Sequence, residues 1–215
     1  MVLYEYYSNA ILAEPIKNMQ DTTICDDFLN IHNILKSRGS HPKVYMTENE
    51  CSSDLKEAMK KYTIYFQLDP PHMHRRNAEE RSIRTCKNNF ISGLTKTDPD
   101  LPISEWDQLL PQLLITSNIL RNYRVNQDLS AYAYLFGIYD FNKYPMVPPG
   151  THVIVHKKPE NRTSWGHNVT LGWYIGPSLD HYRCMQCYMP ATGIVIITYT
   201  LKYISKAFAS PKTTT

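Results

Sequence analysis

Residues 72–87 read His-Met-His-Arg-Arg-Asn-Ala-Glu-Glu-Arg-Ser-Ile-Arg-Thr-Cys-Lys and hold five arginines or lysines, two histidines and two glutamates. One reading is a solvated basic helix face in which Glu80 and Arg84, one turn apart, form an ion pair worth a few tenths of a kcal/mol. The other is chemical. A carboxylate set among cations makes a metal ligand, and the cations suit a phosphate backbone. A second acidic stretch, Thr47-Glu48-Asn49-Glu50, follows a short apolar run. It reads either as a polar strand-to-helix loop or as the carboxyl end of a parallel strand, where α/β sheets place their sites. Together the two stretches would bring a carboxylate from a strand end beside one from a helix, the raw material of a two-metal phosphoryl-transfer site.

The elements that must position these groups alternate. Val-Leu-Tyr-Glu-Tyr-Tyr from residue 2 and Ala-Ile-Leu-Ala from residue 10 read as two strands around a Tyr7-Ser8-Asn9 turn. Ile24, Phe28, Ile31 and Leu35 mark a helix with Asp21 as N-cap candidate, ending near Ser37. Lys43–Thr47 is a strand, Ser53 caps a helix to about Lys61, and Thr63–Gln67 is a further strand. This alternation predicts an α/β sheet. A long helix is expected from about Arg76 to Leu94, with Ile83, Cys86, Phe90 and Leu94 as its apolar stripe. A second runs from Ser104 to about Tyr123 around Pro111, and a short one from Ser130 ends at Gly137. After the Pro145, Pro148, Pro149, Gly150 boundary come β-rich runs at Thr151–His156, Leu171–Ile175, Tyr182–Met189 and Gly193–Tyr199. Their regular spacing predicts a small barrel or sandwich.

Composition sets the limits. A net charge of +3 makes no global case for nucleic acid, so any such case is local. Tyrosine is in excess, 16 against 6 phenylalanines, and serves half-buried strands or base stacking equally well. The odd count of 5 cysteines without a framework, and the lack of a secretory leader pattern, point to a reducing intracellular compartment. The Asn161 and Asn168 sequons then read as chance. No apolar run approaches the roughly 20 residues that span a bilayer. Cys184 and Cys187 have zinc-knuckle spacing, but no second Cys/His pair follows. In a strand that spacing sets the two side chains on opposite faces. Gly172 and Gly176 read as barrel-turn glycines.

The run from Tyr65 to Leu94, YFQLDPPHMHRRNAEERSIRTCKNNFISGL, resembles the segment around the last catalytic acid of copia-type retrotransposon integrases. There an Asn–Ala–small–Glu–Arg pattern opens a long helix after a Pro- and His-rich loop. SEWDQLLPQLLITSNILRNYRVNQDLSAYAYLFG is similar to the helices that follow in that family, and GWYIGPSLDHYRCMQCYMPATG with TYTLKYI to its small β-barrel. The likeness covers residues 2 to about 205 and is nearest to copia-like elements of diatoms and related protists.

The resemblance implies an α/β fold: an incomplete RNase H-like integrase core, a mixed sheet with helices, over residues 1–136. A linker at 137–150, an SH3-like barrel at 151–204 and a flexible tail at 205–215 follow. It implies Glu80 as the third catalytic and metal-binding acid. Glu48 stands where the family has Asp, one methylene longer, and the family's first Asp lies on a strand before Met1. It implies Mg2+ or Mn2+ as cofactor. DNA, both element ends and target, is the implied partner, held by His74, Arg75, Arg76, Asn77, Arg81, Arg84 and Lys87. A homo-oligomer, no membrane, no small-molecule substrate, and a nuclear or cytoplasmic retroelement-particle location complete the implication. Magnesium tolerates little departure from octahedral geometry, so Glu for Asp and a missing first acid imply an N-terminally truncated, nucleic-acid-binding fragment without catalysis. The alternatives are an active polynucleotidyl transferase whose N-terminal segment lies upstream, a domesticated non-catalytic nucleic-acid-binding module, and a partner-binding scaffold without nucleic acid.

Overall fold

The computed structural model describes residues 1–47, 51–68, 78–157 and 159–204. The chain divides into two units, Met1–Ile91 with Leu113–Tyr139, and Ser92–Gln112 with Asp140–Thr215.

The first unit is built around one helix. α1 (Asp21–Ser37) turns Ile31 and Leu35 toward Ala10, Leu12, Ala131 and Leu135. It turns Phe28 toward Tyr45, Leu55, Met59 and Ile64. Helical spacing of three to four residues lets one helix supply two apolar clusters in this way. β1 (Val2–Glu5) and β2 (Ala10–Ala13) pair antiparallel, Val2 opposite Ala13. The Glu5 carboxylate closes their turn by accepting the Tyr7 and Ser8 N–H groups. Asn9 there takes a φ of +66°, a left-handed conformation that asparagine tolerates. β3 (Val44–Thr47) and β4 (Tyr65–Leu68) pair in parallel across α2 (Ser53–Lys61), with Thr47 opposite Leu68. Among the described strands the two pairs are separate sheets, so the single sheet expected from the alternation is not formed.

Several boundaries move by a residue or two. Ser52, not Ser53, caps α2, because Ser52 is the residue with extended backbone and its Oγ accepts from the Leu55 N–H at 3.3 Å. Gln20 precedes α1 without a side-chain cap, and Asp21 sits in the first turn, where the helix dipole favours an anion. α5 (Ala131–Phe136) keeps its expected ends: Ser130 accepts from the Ala133 N–H at 3.0 Å, and Gly137 takes a φ of +87°.

The second unit is dominated by five antiparallel strands in the order β8-β7-β6-β5-β9. These are β5 (Thr151–His156), β6 (Val169–Pro177), β7 (Met185–Met189), β8 (Ile194–Thr198) and β9 (Leu201–Tyr203). The short β9 is a strand that the sequence pattern did not mark. Its position forces curvature. β8 and β9 lie at opposite edges, yet Thr198 and Leu201 are three residues apart. Three residues reach about 11 Å at most, whereas four inter-strand gaps laid flat would span about 19 Å. The sheet must therefore curl toward closure. Its inner face collects Val153, Val155, Tyr174, Met185, Cys187 and Met189, with Ile196, Leu201 and Tyr203 against them, so all five strands feed one core.

The glycines of β6 are not turn residues. A Cβ on Gly172 would lie 2.6 Å from the Tyr188 carbonyl oxygen, so this mid-strand position admits only glycine without a shift. Gly176 sits where the β6–β7 register slips past Tyr174. Cys187 faces the core, and Cys184 precedes β7 with its thiol on the Tyr182 carbonyl. The second long helix begins later than expected, as α4 (Trp106–Ile119) after a short 3-10 turn at Ile103–Glu105, and stops before Tyr123. No helix of the described residues is long and apolar enough to cross a membrane.

Candidate nucleic-acid interface

The parallel β3–β4 pair sets the direction of the site. Because Thr47 and Leu68 are register partners, the chain leaves both strands at the same end of the sheet. That end is where parallel sheets present ligand-binding residues. Glu48, which follows Thr47, and His74, Arg75, Arg76 and Asn77, which follow β4, lie outside the described residues.

α3 (Ala78–Leu94) carries the remainder. Ser82 is buried, and Cys86 and Phe90 are half-buried at positions four and eight residues on, so this stripe faces inward. Burial is the main reason that the Cys86 thiol is pushed above its ordinary pKa. Asn89 Nδ2 donates to Ser117 Oγ at 3.1 Å, fastening α3 to the later turns of α4 by a polar pair. Ile83, expected in the apolar stripe, is instead 41% exposed. Cys86, Phe90 and Leu94 are half-buried as the apolar periodicity suggested, and only at the first turn does the small polar Ser82 take the inward place expected of Ile83.

The opposite face is cationic. Arg81, Arg84 and Lys87 are all exposed and stand at intervals of three residues. On a helix such residues share one broad side. Glu80 is half-buried on the same helix and has interactions of its own. α3 thus separates roles: Ser82, Cys86 and Asn89 hold the helix in place, leaving Arg81, Arg84 and Lys87 directed to solvent.

Magnesium takes several oxygen ligands in near-octahedral geometry, and protein sites usually supply one or two carboxylates beside substrate phosphates. Among the described residues no group of three or more His, Cys, Asp or Glu is placed to hold an ion. Glu80 alone among the described residues does not make a metal centre. The described arrangement can attract a phosphate backbone.

The class defined by these elements is a two-unit chain: a mixed α/β unit with small separate sheets, and a curled antiparallel β unit. No family model and no curated protein matches the chain. Among solved structures, the chain is similar to one described as the cryoEM structure of a simian T-cell lymphotropic virus intasome in complex with PP2A regulatory subunit B56 gamma. The identity is 16%, the TM-score 0.47, and the match covers 95% of this chain and 74% of that one. A likeness of that degree assigns no residue and no chemistry.

The sequence pattern missed the polar Asn89–Ser117 fastening and a group of tyrosines and arginines around the β1–β2 turn. The tyrosine excess was the only signal of the latter. It said nothing of where the rings gather, because they come from segments more than 100 residues apart, as the Arg124–Tyr4 hydrogen bond illustrates.

Proposed function

We propose that the chain is the later part of a copia-type retrotransposon integrase, one that binds DNA and does not join strands by itself. The single observation that carries the binding reading is the exposed Arg81, Arg84 and Lys87 face of α3. Three guanidinium or ammonium groups on one side of a rigid helix suit successive phosphates and release counterions when they engage them. The residue pattern around Glu80 supports the integrase family within the wider class of nucleic-acid binders. The parallel β3–β4 pair supports an RNase H-like reading of the first unit. A four-strand meander whose fifth strand returns to pair with the first supports an SH3-like reading of the second.

Under this reading His74, Arg75, Arg76 and Asn77 extend the DNA contact made by α3. The protein works in the nucleus or in a cytoplasmic retroelement particle, as an assembly of copies. Mg2+ or Mn2+ belongs to the family's chemistry, with Glu80 and Glu48 as its acids. A glutamate at position 48 in place of aspartate displaces a carboxylate by more than the roughly 0.5 Å that catalytic constellations tolerate. That displacement supports the reading in which the chain does not join strands.

The test is binding of a labelled duplex to the full chain over a salt series, beside a strand-transfer assay with Mg2+ and with Mn2+. Affinity should fall steeply with salt, and the fall should flatten when Arg81, Arg84 and Lys87 are changed to alanine. Salt-insensitive binding, or none, would leave a protein-binding scaffold as the better reading. Robust joining of a donor duplex would replace the non-catalytic reading with an active polynucleotidyl transferase.

A further inference from the structure

A second surface of the first unit has a composition that folding does not require. Tyr6, at the tip of the β1–β2 turn, is 64% exposed, and its neighbour Tyr7 is 52% exposed. The guanidinium of Arg124 lies 3.9 Å from the Tyr6 ring centroid, within cation–π range, and also donates to the Tyr4 hydroxyl. Tyr4 and Tyr6 meet edge to face at 6.3 Å. Beside them Tyr123 and Tyr134 stack at 4.3 Å, with the Tyr7 ring edge-on to both.

Structure accounts for part of this. Arg121 donates through Nε to the Asn9 carbonyl and through Nη2 to Asn9 Oδ1, both at 2.7 Å, so it holds the turn. The Tyr123–Tyr134 stack seats Tyr7. Neither role calls for a tyrosine at position 6 or an exposed arginine stacked upon it. A polar turn residue would fold as well and would leave less aromatic surface in water.

We propose that Tyr6 and Arg124, flanked by Tyr4 and Tyr7, form a binding site for single-stranded nucleic acid. Exposed rings accept a base by stacking whatever its sequence, and a guanidinium already stacked on a ring offers both a further stacking face and N–H donors to a phosphate. The charge balance fits an anion. Arg121 and Arg124 bring two positive charges, and both oxygens of the Glu5 carboxylate at the turn are engaged by the Tyr7 and Ser8 N–H groups. This site shares no residue with the basic face of α3 and stands whether or not that face binds duplex DNA.

The test measures anisotropy of a labelled oligothymidine and of a labelled duplex with the full chain. Tyr6→Ala should weaken oligothymidine binding about tenfold, the order of one lost base–aromatic stack. Tyr6→Phe should retain it, because the ring and not the hydroxyl does the stacking. Arg124→Ala should weaken it comparably, and none of the three should change duplex affinity by more than about twofold. Changing Arg84 and Lys87 should do the reverse, so failure of the α3 reading and failure of this one are told apart. As a measurement that needs no variant, bromodeoxyuridine oligonucleotides should photo-crosslink within residues 4–9. Crosslinks confined to other segments, unaltered oligothymidine binding by Tyr6→Ala, or no oligothymidine binding at all would overturn the proposal.

Discussion

Changing Asn118 to leucine should cost the first unit about 3 kcal/mol, because this one side chain completes the edge of β2. Asn118 is 4% exposed on α4. Its Oδ1 accepts from the Ile11 N–H at 2.8 Å and its Nδ2 donates to the Ile11 carbonyl at 2.7 Å, the pairing that a neighbouring strand would make. Ile11 itself is fully buried, so water does not reach those groups in its place. Leucine is apolar and similar in reach, and it removes both bonds while leaving an N–H and a C=O unpaired. Each such group costs about 1–3 kcal/mol, which gives about 2–6 in all and about 3 once local relaxation is allowed for. Against typical stabilities of about 5–15 kcal/mol that is a large fraction. Urea titration followed by far-UV circular dichroism should show the helical transition move about 1–3 M lower, from the usual urea slope. Asn118→Asp sharpens the test. Its carboxylate keeps the acceptor for the Ile11 N–H but sets a second oxygen against the Ile11 carbonyl, and only the protonated acid can donate there. Burial and that opposed oxygen both raise the folded-state pKa above the unfolded value of about 3.9. The variant should therefore be most stable below about pH 4 and lose stability as pH rises through the raised pKa. A loss below about 1 kcal/mol in Asn118→Leu, or an Asn118→Asp variant indifferent to pH, would refute the clamp.

Four further outcomes are expected. Gly172→Ala forces a Cβ to within 2.6 Å of the Tyr188 carbonyl oxygen. It should destabilise the β unit by about 1–3 kcal/mol, read from tryptophan fluorescence, since Trp173 lies beside it on β6. The Cys187 thiol and the Tyr203 hydroxyl are each pushed up to about 12 by burial in the core of that curled sheet. The unfolded chain ionises them first, so the β unit should lose stability as pH rises from about 9, the ordinary thiol range, toward 12, which alkaline unfolding curves would show. Ser130→Ala removes the N-cap of α5 and should cost about 1 kcal/mol by thermal or urea melting. Changing Arg84 and Lys87 together to alanine should reduce the slope of log affinity against log salt by about 2 for duplex DNA, with little effect on stability because both are exposed.

How much of this was legible depended on the range of the interaction. Local signals were legible: the apolar spacing of Ile24, Phe28, Ile31 and Leu35 gave α1 its limits, Ser130 and Gly137 framed α5, and Thr151–His156 matched β5 residue for residue. Each rests on a capping group, a glycine φ or a periodicity contained within a few residues. The α3 stripe was legible at Cys86, Phe90 and Leu94 and misjudged at Ile83, because the inward place in that turn belongs to the small, buried Ser82. β9 was not marked because three residues carry too little pattern, although its pairing with Val153–Val155 is what makes the sheet curl.

The candidate interface followed the same division. The exposure of Arg81, Arg84 and Lys87 could be read from their spacing, since helix geometry alone gathers them on one side. The Tyr6–Arg124 surface could not, because it exists only once Arg121 reaches Asn9 and Asn118 reaches Ile11 across more than 100 residues. Those two contacts come from one stretch of α4 and the residues just after it, and they act on the same hairpin. The clamp that completes β2 therefore also sets the turn that presents Tyr6. It follows that Asn118→Leu, beyond its cost in stability, should weaken oligothymidine binding more than duplex binding, linking the fold's least legible contact to the surface that depends on it.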